Sequence, residues 1–305
     1  MDMTKIIEQM LVLLLMLLVG YLLGKRKVFT EESNKVMSRV VIYVANPALL
    51  LNTVTSGQIT GSKSSTLMVI GISILYFIFI PIVVKILTLL FPFTRKNNKV
   101  YEAMYCFSNL GFMGIPVINA IYGASAIFYL SIFMIPFNVL VYSYGVVLLS
   151  EQKRQKIDLK KIANPVVFAA AIALFLYFSG VKTPAVINET VALLGGITTP
   201  LAMVTIGSTL ALIPLKDVFF DWRMYLFALG KLLLLPVITY VSFKWFIQNE
   251  LLLGVMVVVS AMPVASNVTI ICTEYGGDSH TVTKGTFITT VLSLVTIPIL
   301  AATIL

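Results

Sequence analysis

The sequence predicts an all-α integral membrane protein: ten transmembrane helices in a 5+5 inverted repeat, with helices 4 and 9 broken and crossing. Three observations predict it. The chain is 59% hydrophobic and only 11% charged, with a mean hydropathy of +0.98. A water-soluble domain usually carries about a quarter charged residues, so most of this surface must face lipid. Its apolar runs have the length of a bilayer crossing, about 20 residues each. Prolines interrupt these runs at matching places in the two halves of the chain.

Helix 1 is expected over 6–23 and is followed by Lys25-Arg26-Lys27. A secretory signal puts its charge before the apolar run and small residues after it, so this run reads as a retained helix. Helices 2 and 3, over 34–56 and 65–91, carry Asn46-Pro47 and Pro81. Helix 4, over 101–122, contains Gly111-Phe112-Met113-Gly114-Ile115-Pro116, and helix 5 covers 124–149. A polar loop at 150–161 divides the spans five and five. Helices 6, 7 and 8 follow at 162–179, 188–214 and 223–247, with Thr199-Pro200 in helix 7 and Pro236 in helix 8. Helix 9, over 250–275, contains Ala261-Met262-Pro263-Val264-Ala265-Ser266-Asn267, and helix 10 covers 280–304. Helices 3, 7 and 10 are long enough to tilt.

Basic residues set the orientation. Lys25, Arg26, Lys27, Lys35, Arg95, Lys96, Lys99, Lys153, Arg154, Lys156, Lys160, Lys161, Lys216, Arg223 and Lys284 fall on one side. Only Lys5, Lys63, Lys182 and Lys244 fall on the other, so the first side is cytoplasmic and both termini are extracellular. The net charge of +9 then belongs to membrane flanks rather than to a nucleic-acid surface.

The halves repeat. Pro47 matches Pro200, Pro81 matches Pro236 and Pro116 matches Pro263, each pair separated by nearly the same number of residues. Five spans per half force the second half into the membrane upside down, a plan common among secondary carriers. A mid-helix proline lacks a donor and clashes one turn back, so breaks are expected at Pro116 and Pro263. Each should open a half-helix whose free N–H groups attract an anion, such as a small carboxylate. Gly111 and Gly114 are expected to permit the close crossing. Asn109, Asn46, Asn267 and Ser266 are the polar side chains nearest the breaks, able to hold a carboxylate or to cap the backbone.

Ionisable residues inside a membrane are usually functional. Lys231, about two turns into helix 8, is a possible charge partner for an anion, a proton-linked charge, or a lysine that snorkels to the interface. Glu102, Glu189, Glu250, Glu274 and Asp278 all fall at helix ends, so no proton relay on a buried carboxylate is expected. Coupling to Na+ or H+ is left open. Cys106 and Cys272 sit in apolar runs and His280 at a turn, which gives no metal site, and no cofactor is expected. Nucleotide loops and His-Glu protease pairs are absent from the sequence, so no enzyme is expected.

Several segments together resemble the auxin efflux carrier family. They are Asn46-Pro47-Ala48-Leu49-Leu50, Asn109 through Pro116, Thr199-Pro200-Leu201-Ala202-Met203, Ile206-Gly207-Ser208-Thr209-Leu210, Ala261 through Asn267, Tyr275-Gly276-Gly277-Asp278, and Ser293-Leu294 with Pro298. The short loop after helix 5 is similar to that of the bacterial malate/malonate permease branch, within the bile acid/arsenite/riboflavin transporter superfamily. The resemblance implies a fold like that of bile-acid sodium symporters. It implies a scaffold domain of helices 1, 2, 6 and 7 (1–60 and 160–215) that forms a homodimer. It also implies a transport domain of helices 3–5 and 8–10 (61–150 and 216–305) that moves as an elevator. Carried over by position, Asn109, Pro116, Pro263 and Asn267 bind substrate, with Asn46 facing them. The acidic and basic pair that some plant members use in helix 3 is not matched, since Lys85 has no acidic neighbour.

The expectation is a plasma-membrane secondary carrier of small organic anions: malate, malonate or auxin-like weak acids. An anion channel or facilitator and a membrane-embedded ligand sensor are the alternatives.

Overall fold

A computed structural model describes residues 3–56, 63–90, 98–149, 165–212, 221–265, 268–269, 271–272, 275 and 277–303. The loop expected at 150–161 lies outside them, apart from its boundary with Leu149. The helices are α1 (Met3–Lys25), α2 (Glu31–Thr55), α3 (Lys63–Leu90), α4 (Asn98–Cys106), α5 (Leu110–Tyr122) and α6 (Ala124–Leu149). They continue with α7 (Pro165–Ser179), α8 (Ala185–Leu212), α9 (Trp222–Phe243), α10 (Glu250–Ala261) and α11 (Ser279–Thr303). Among the described residues there is no named strand. Six helices, namely α2, α3, α6, α8, α9 and α11, are long and apolar enough to cross a bilayer. The chain is an all-helical membrane protein.

Local chemistry sets several helix starts. Thr30 and Ser33 form a reciprocal capping box at α2, with the Thr30 N–H donating to Ser33 Oγ at 2.7 Å. Asp221 and Asn249 cap α9 and α10 by accepting from the N–H groups of Arg223 and Leu252 at 3.2 and 3.0 Å. Gly123, at φ 77°, makes the turn between α5 and α6, a backbone conformation that favours glycine.

The internal prolines behave differently from one another. Pro47, Pro116 and Pro236 each follow a π turn, at Val41–Ala45, Leu110–Gly114 and Gly230–Leu234. The wider turn moves away the carbonyl that the proline ring would strike, so the helix runs on. The break expected at Pro116 is therefore not there: α5 passes through that residue, and Gly114 before it is helical at φ −61° and ψ −46°.

The chain divides into two compact units. The first holds Met1–Val69, Gly111–Ile135 and Ala163–Ile213. There α1 lies along the Thr198–Leu212 part of α8 with backbone against backbone. A Cβ on Gly20 would sit 2.7 Å from the Val204 carbonyl carbon, and one on Gly207 would sit 2.8 Å from that of Leu17. Only glycine permits this approach, the small-residue packing that replaces a hydrophobic driving force in lipid. The second unit holds Ile70–Leu110, Pro136–Ile162 and Pro214–Leu305. Its core is aromatic: Tyr105 and Tyr101 pack edge-on against Phe227 at 4.6 and 5.6 Å between ring centroids, and Phe107 against Phe137 at 6.2 Å.

Outward residues are apolar, as lipid contact requires. Leu15, Leu67, Ile78, Leu89, Phe168, Phe175 and Leu193 are all exposed. Both tryptophans of the chain bracket α9, Trp222 at its start and Trp245 just past its end, and both are exposed. A helix of 22 residues spans about 33 Å, a bilayer core, which puts one indole at each interface.

Candidate functional site

The site lies in the second unit, where two helices stop and their chains run extended. Helix α10 ends at Ala261, and Met262 turns to ψ 146°, the conformation imposed on a residue before proline. Pro263 has no N–H to give to α10 and disfavours the helical conformation at Met262, and α10 stops before it. On the other chain α4 ends at Cys106, and Phe107, Ser108 and Asn109 precede the start of α5 at Leu110. The two extended stretches pair antiparallel, with Ser108 opposite Val264. The Asn109 N–H donates to the Pro263 carbonyl at 2.8 Å, and the Ala265 N–H donates to the Phe107 carbonyl at 2.9 Å. The Val264 N–H donates to Thr289 Oγ1 of α11 at 3.1 Å, while the Thr289 hydroxyl donates to the Gly285 carbonyl at 2.7 Å. Each broken segment thus satisfies the backbone groups that the other leaves open, which a low-dielectric interior demands.

A buried lysine sits beside this pairing. Lys231, in the π turn of α9, is fully buried. Its ammonium donates to the Tyr105 carbonyl at 2.6 Å and to Ser108 Oγ at 2.8 Å. The Tyr105 carbonyl belongs to the last turn of α4, where helix carbonyls lack partners and carry partial negative charge. The Lys231 side chain is turned into the protein rather than snorkelling to an interface.

Glu102, expected at a helix end, is also buried. All residues of α4 from Val100 to Cys106 are buried, Glu102 among them, and the Tyr144 hydroxyl donates to its Oε1. A nine-residue helix gives little room for an exposed face once both its sides are packed, and its position near the end of an apolar run hid this.

The expected site residues fall into three groups. In the second unit Asn109 and Pro263 meet in the pairing itself, and Lys231 reaches it through Ser108. In the first unit Asn46, 1% exposed, donates from Nδ2 to the Gly111 carbonyl at 3.2 Å. Its buried Oδ1 has no hydrogen-bond partner among the described residues. Gly114 and Pro116 lie further along α5. Gly111 does not need to be glycine for space, because a Cβ there would stand 3.5 Å from Asn46 Nδ2 in ordinary contact. Ser266 and Asn267 lie outside the described residues. Sequence reasoning missed Ser108, which no local signal marks, and named Glu102 only as a residue at a helix end.

A family model described as membrane transport protein matches the chain over residues 5–159 and 154–301. The chain belongs to that family, the auxin efflux carriers. The transporter MJ1031 of Methanocaldococcus jannaschii is 27% identical over 303 residues, which cover 95% of this chain and 96% of that one. The transporter YfdV of Escherichia coli K12 is 25% identical over 97% of this chain and 96% of its own. A transporter of Methanothermobacter thermautotrophicus is 24% identical over 96% of each. The protein is a membrane transporter of this family, as the sequence resemblance implied. Within it, the paired irregular backbone is the feature with chemical capacity, because a buried lysine and the Ser108 and Thr289 hydroxyls meet there.

Proposed function

We propose that the protein is a secondary active transporter of small organic anions, mono- or dicarboxylates such as malate or malonate, with auxin-like weak acids as a second class. The observation that carries this reading is the antiparallel pairing of 107–109 with 263–265 beside the buried ammonium of Lys231. A transporter tolerates two interrupted helices and an uncompensated cation inside the membrane where they serve a solute of opposite charge. The anion binds beside the crossing, with Asn109 and Asn267 as amide donors and the start of α5 supplying its positive end.

In this reading the chain crosses the plasma membrane ten times as a 5+5 inverted repeat, with both termini outside. The repeated prolines and the excess of basic residues on one side support it. Helices 1, 2, 6 and 7 form a scaffold that pairs with a second copy, and helices 3–5 and 8–10 carry the anion across as an elevator.

Purified protein in liposomes tests the proposal. Uptake of labelled malonate or malate should saturate and should accelerate when unlabelled anion is loaded inside. Non-saturating flux without counterflow would make the protein a channel. Carboxylate-dependent thermal stabilisation without any flux would make it a sensor.

A further inference from the structure

We propose that Lys231 is the resident cation of the broken-helix crossing, its ammonium filling a place that a dissociable sodium ion would otherwise take, so that transport runs without sodium. The inference rests on the crossing being the transport site. Carriers with discontinuous helices hold Na+ with unwound carbonyls and half-helix C-terminal ends. Here the last turn of α4 offers the Tyr105 carbonyl and the extended segment offers the Ser108 hydroxyl, both neutral oxygens. Those are two oxygens of the kind that ligate a hard monovalent cation, and the Lys231 Nζ donates to both.

The delivery of Lys231 is built into α9. The π turn Gly230–Leu234 lies where the side chain leaves the helix. Gly230 makes room for α4, because a Cβ there would sit 3.1 Å from Cζ of the Tyr105 ring. With the helix so close, the ammonium reaches the end of α4 while 0% of the residue is exposed.

Among the described residues no carboxylate pairs with Lys231. Among the described residues the ion pair is Lys35 with Glu31 at 2.7 Å, far along the sequence from the crossing. The buried Glu102 takes the Tyr144 hydroxyl instead. Burying an ammonium has a desolvation cost, which its two hydrogen bonds to α4 and Ser108 offset. Here it anchors Ser108 and biases the crossing toward an anion.

The test compares wild type, Lys231→Ala and Lys231→Met in liposomes and by thermal unfolding. Wild-type malonate uptake should agree within about twofold between sodium and choline media, and its melting temperature should ignore sodium. Lys231→Ala opens the oxygen cluster. Sodium or propylammonium should raise its melting temperature by about 3 °C or more, and sodium should raise its uptake at least about fivefold. Lys231→Met fills the space without charge and should gain nothing from either cation. A wild type that needs sodium would overturn the proposal, as would a Lys231→Ala variant that responds to sodium and propylammonium no more than wild type does. Should Lys231→Ala not fold even with these cations, the proposal fails on that arm too, since they were to replace the missing charge. If wild type transports no carboxylate, the transport reading fails while the melting comparison still decides the role of Lys231.

Discussion

At Pro263 the chain leaves its helix at a residue that favours the break: the donor is missing and Met262 is turned to ψ 146°. At Phe107–Asn109 the chain leaves α4 with every donor present and with no proline or glycine among the three residues. What holds the second stretch open comes from elsewhere. Pro263 and Ala265 take its backbone groups, and Lys231 takes the Tyr105 carbonyl that α4 leaves exposed. One break is written locally and the other is held by partners distant in sequence. The locally written segment serves as the template on which the other is laid. A pair of interrupted helices therefore needs only one proline at the crossing, and the matching proline is free to sit elsewhere.

The largest effect should come from removing the partner that has no local substitute. Lys231→Met leaves the Tyr105 carbonyl and Ser108 Oγ without their charged donor, at a cost of about 3 kcal/mol in stability by denaturant unfolding. A loss below about 1 kcal/mol would mean that the 107–109 stretch holds itself open. Next come the two prolines, taken singly. Pro263→Ala restores a donor at the template and should lower uptake about tenfold, worth roughly 1.4 kcal/mol in the barrier. Pro116→Ala should leave uptake within about twofold, because the π turn before it already accommodates the ring. Equal losses from both would erase the distinction between them. Asn109→Ala removes a side chain while keeping the backbone pair to Pro263. It should weaken malonate binding by about 1 kcal/mol, roughly fivefold in Kd, with folding intact, and unchanged affinity would remove Asn109 from the site. The smallest effect is expected from Gly111→Ala, within about 0.5 kcal/mol by thermal unfolding, since the added methyl meets only ordinary contacts.

What could be read from the sequence follows the same division. Apolar runs mark the helices because lipid demands them, and Pro263 marks its break because the missing donor is a property of the residue itself. Pro116 misdirected the placement of the other break by about two turns, since sequence does not show that a π turn will absorb a proline. Lys231 stood out by its depth within an apolar run, yet its main partner is a backbone carbonyl, which every residue possesses and no motif announces. Ser108 looks like any helix serine until Lys231 is placed beside it. Glu102 looked terminal because α4 is short and begins only a few residues earlier, at Asn98. Gly20 and Gly207 had no assigned role in the sequence, and their contact is a fact about two helices rather than about either one.

The pairing of the two extended segments is tested most directly by a cysteine pair. Ser108 and Val264 face each other across a narrow antiparallel pair. Their Cα atoms should then be about 4.5 Å apart, within disulfide range. In a background with Cys106 and Cys272 replaced by alanine, Ser108→Cys with Val264→Cys should oxidise in native membranes to an intramolecular disulfide in most molecules. A pair that stays reduced under oxidation, in protein that otherwise folds, would contradict the crossing on which the account of transport rests.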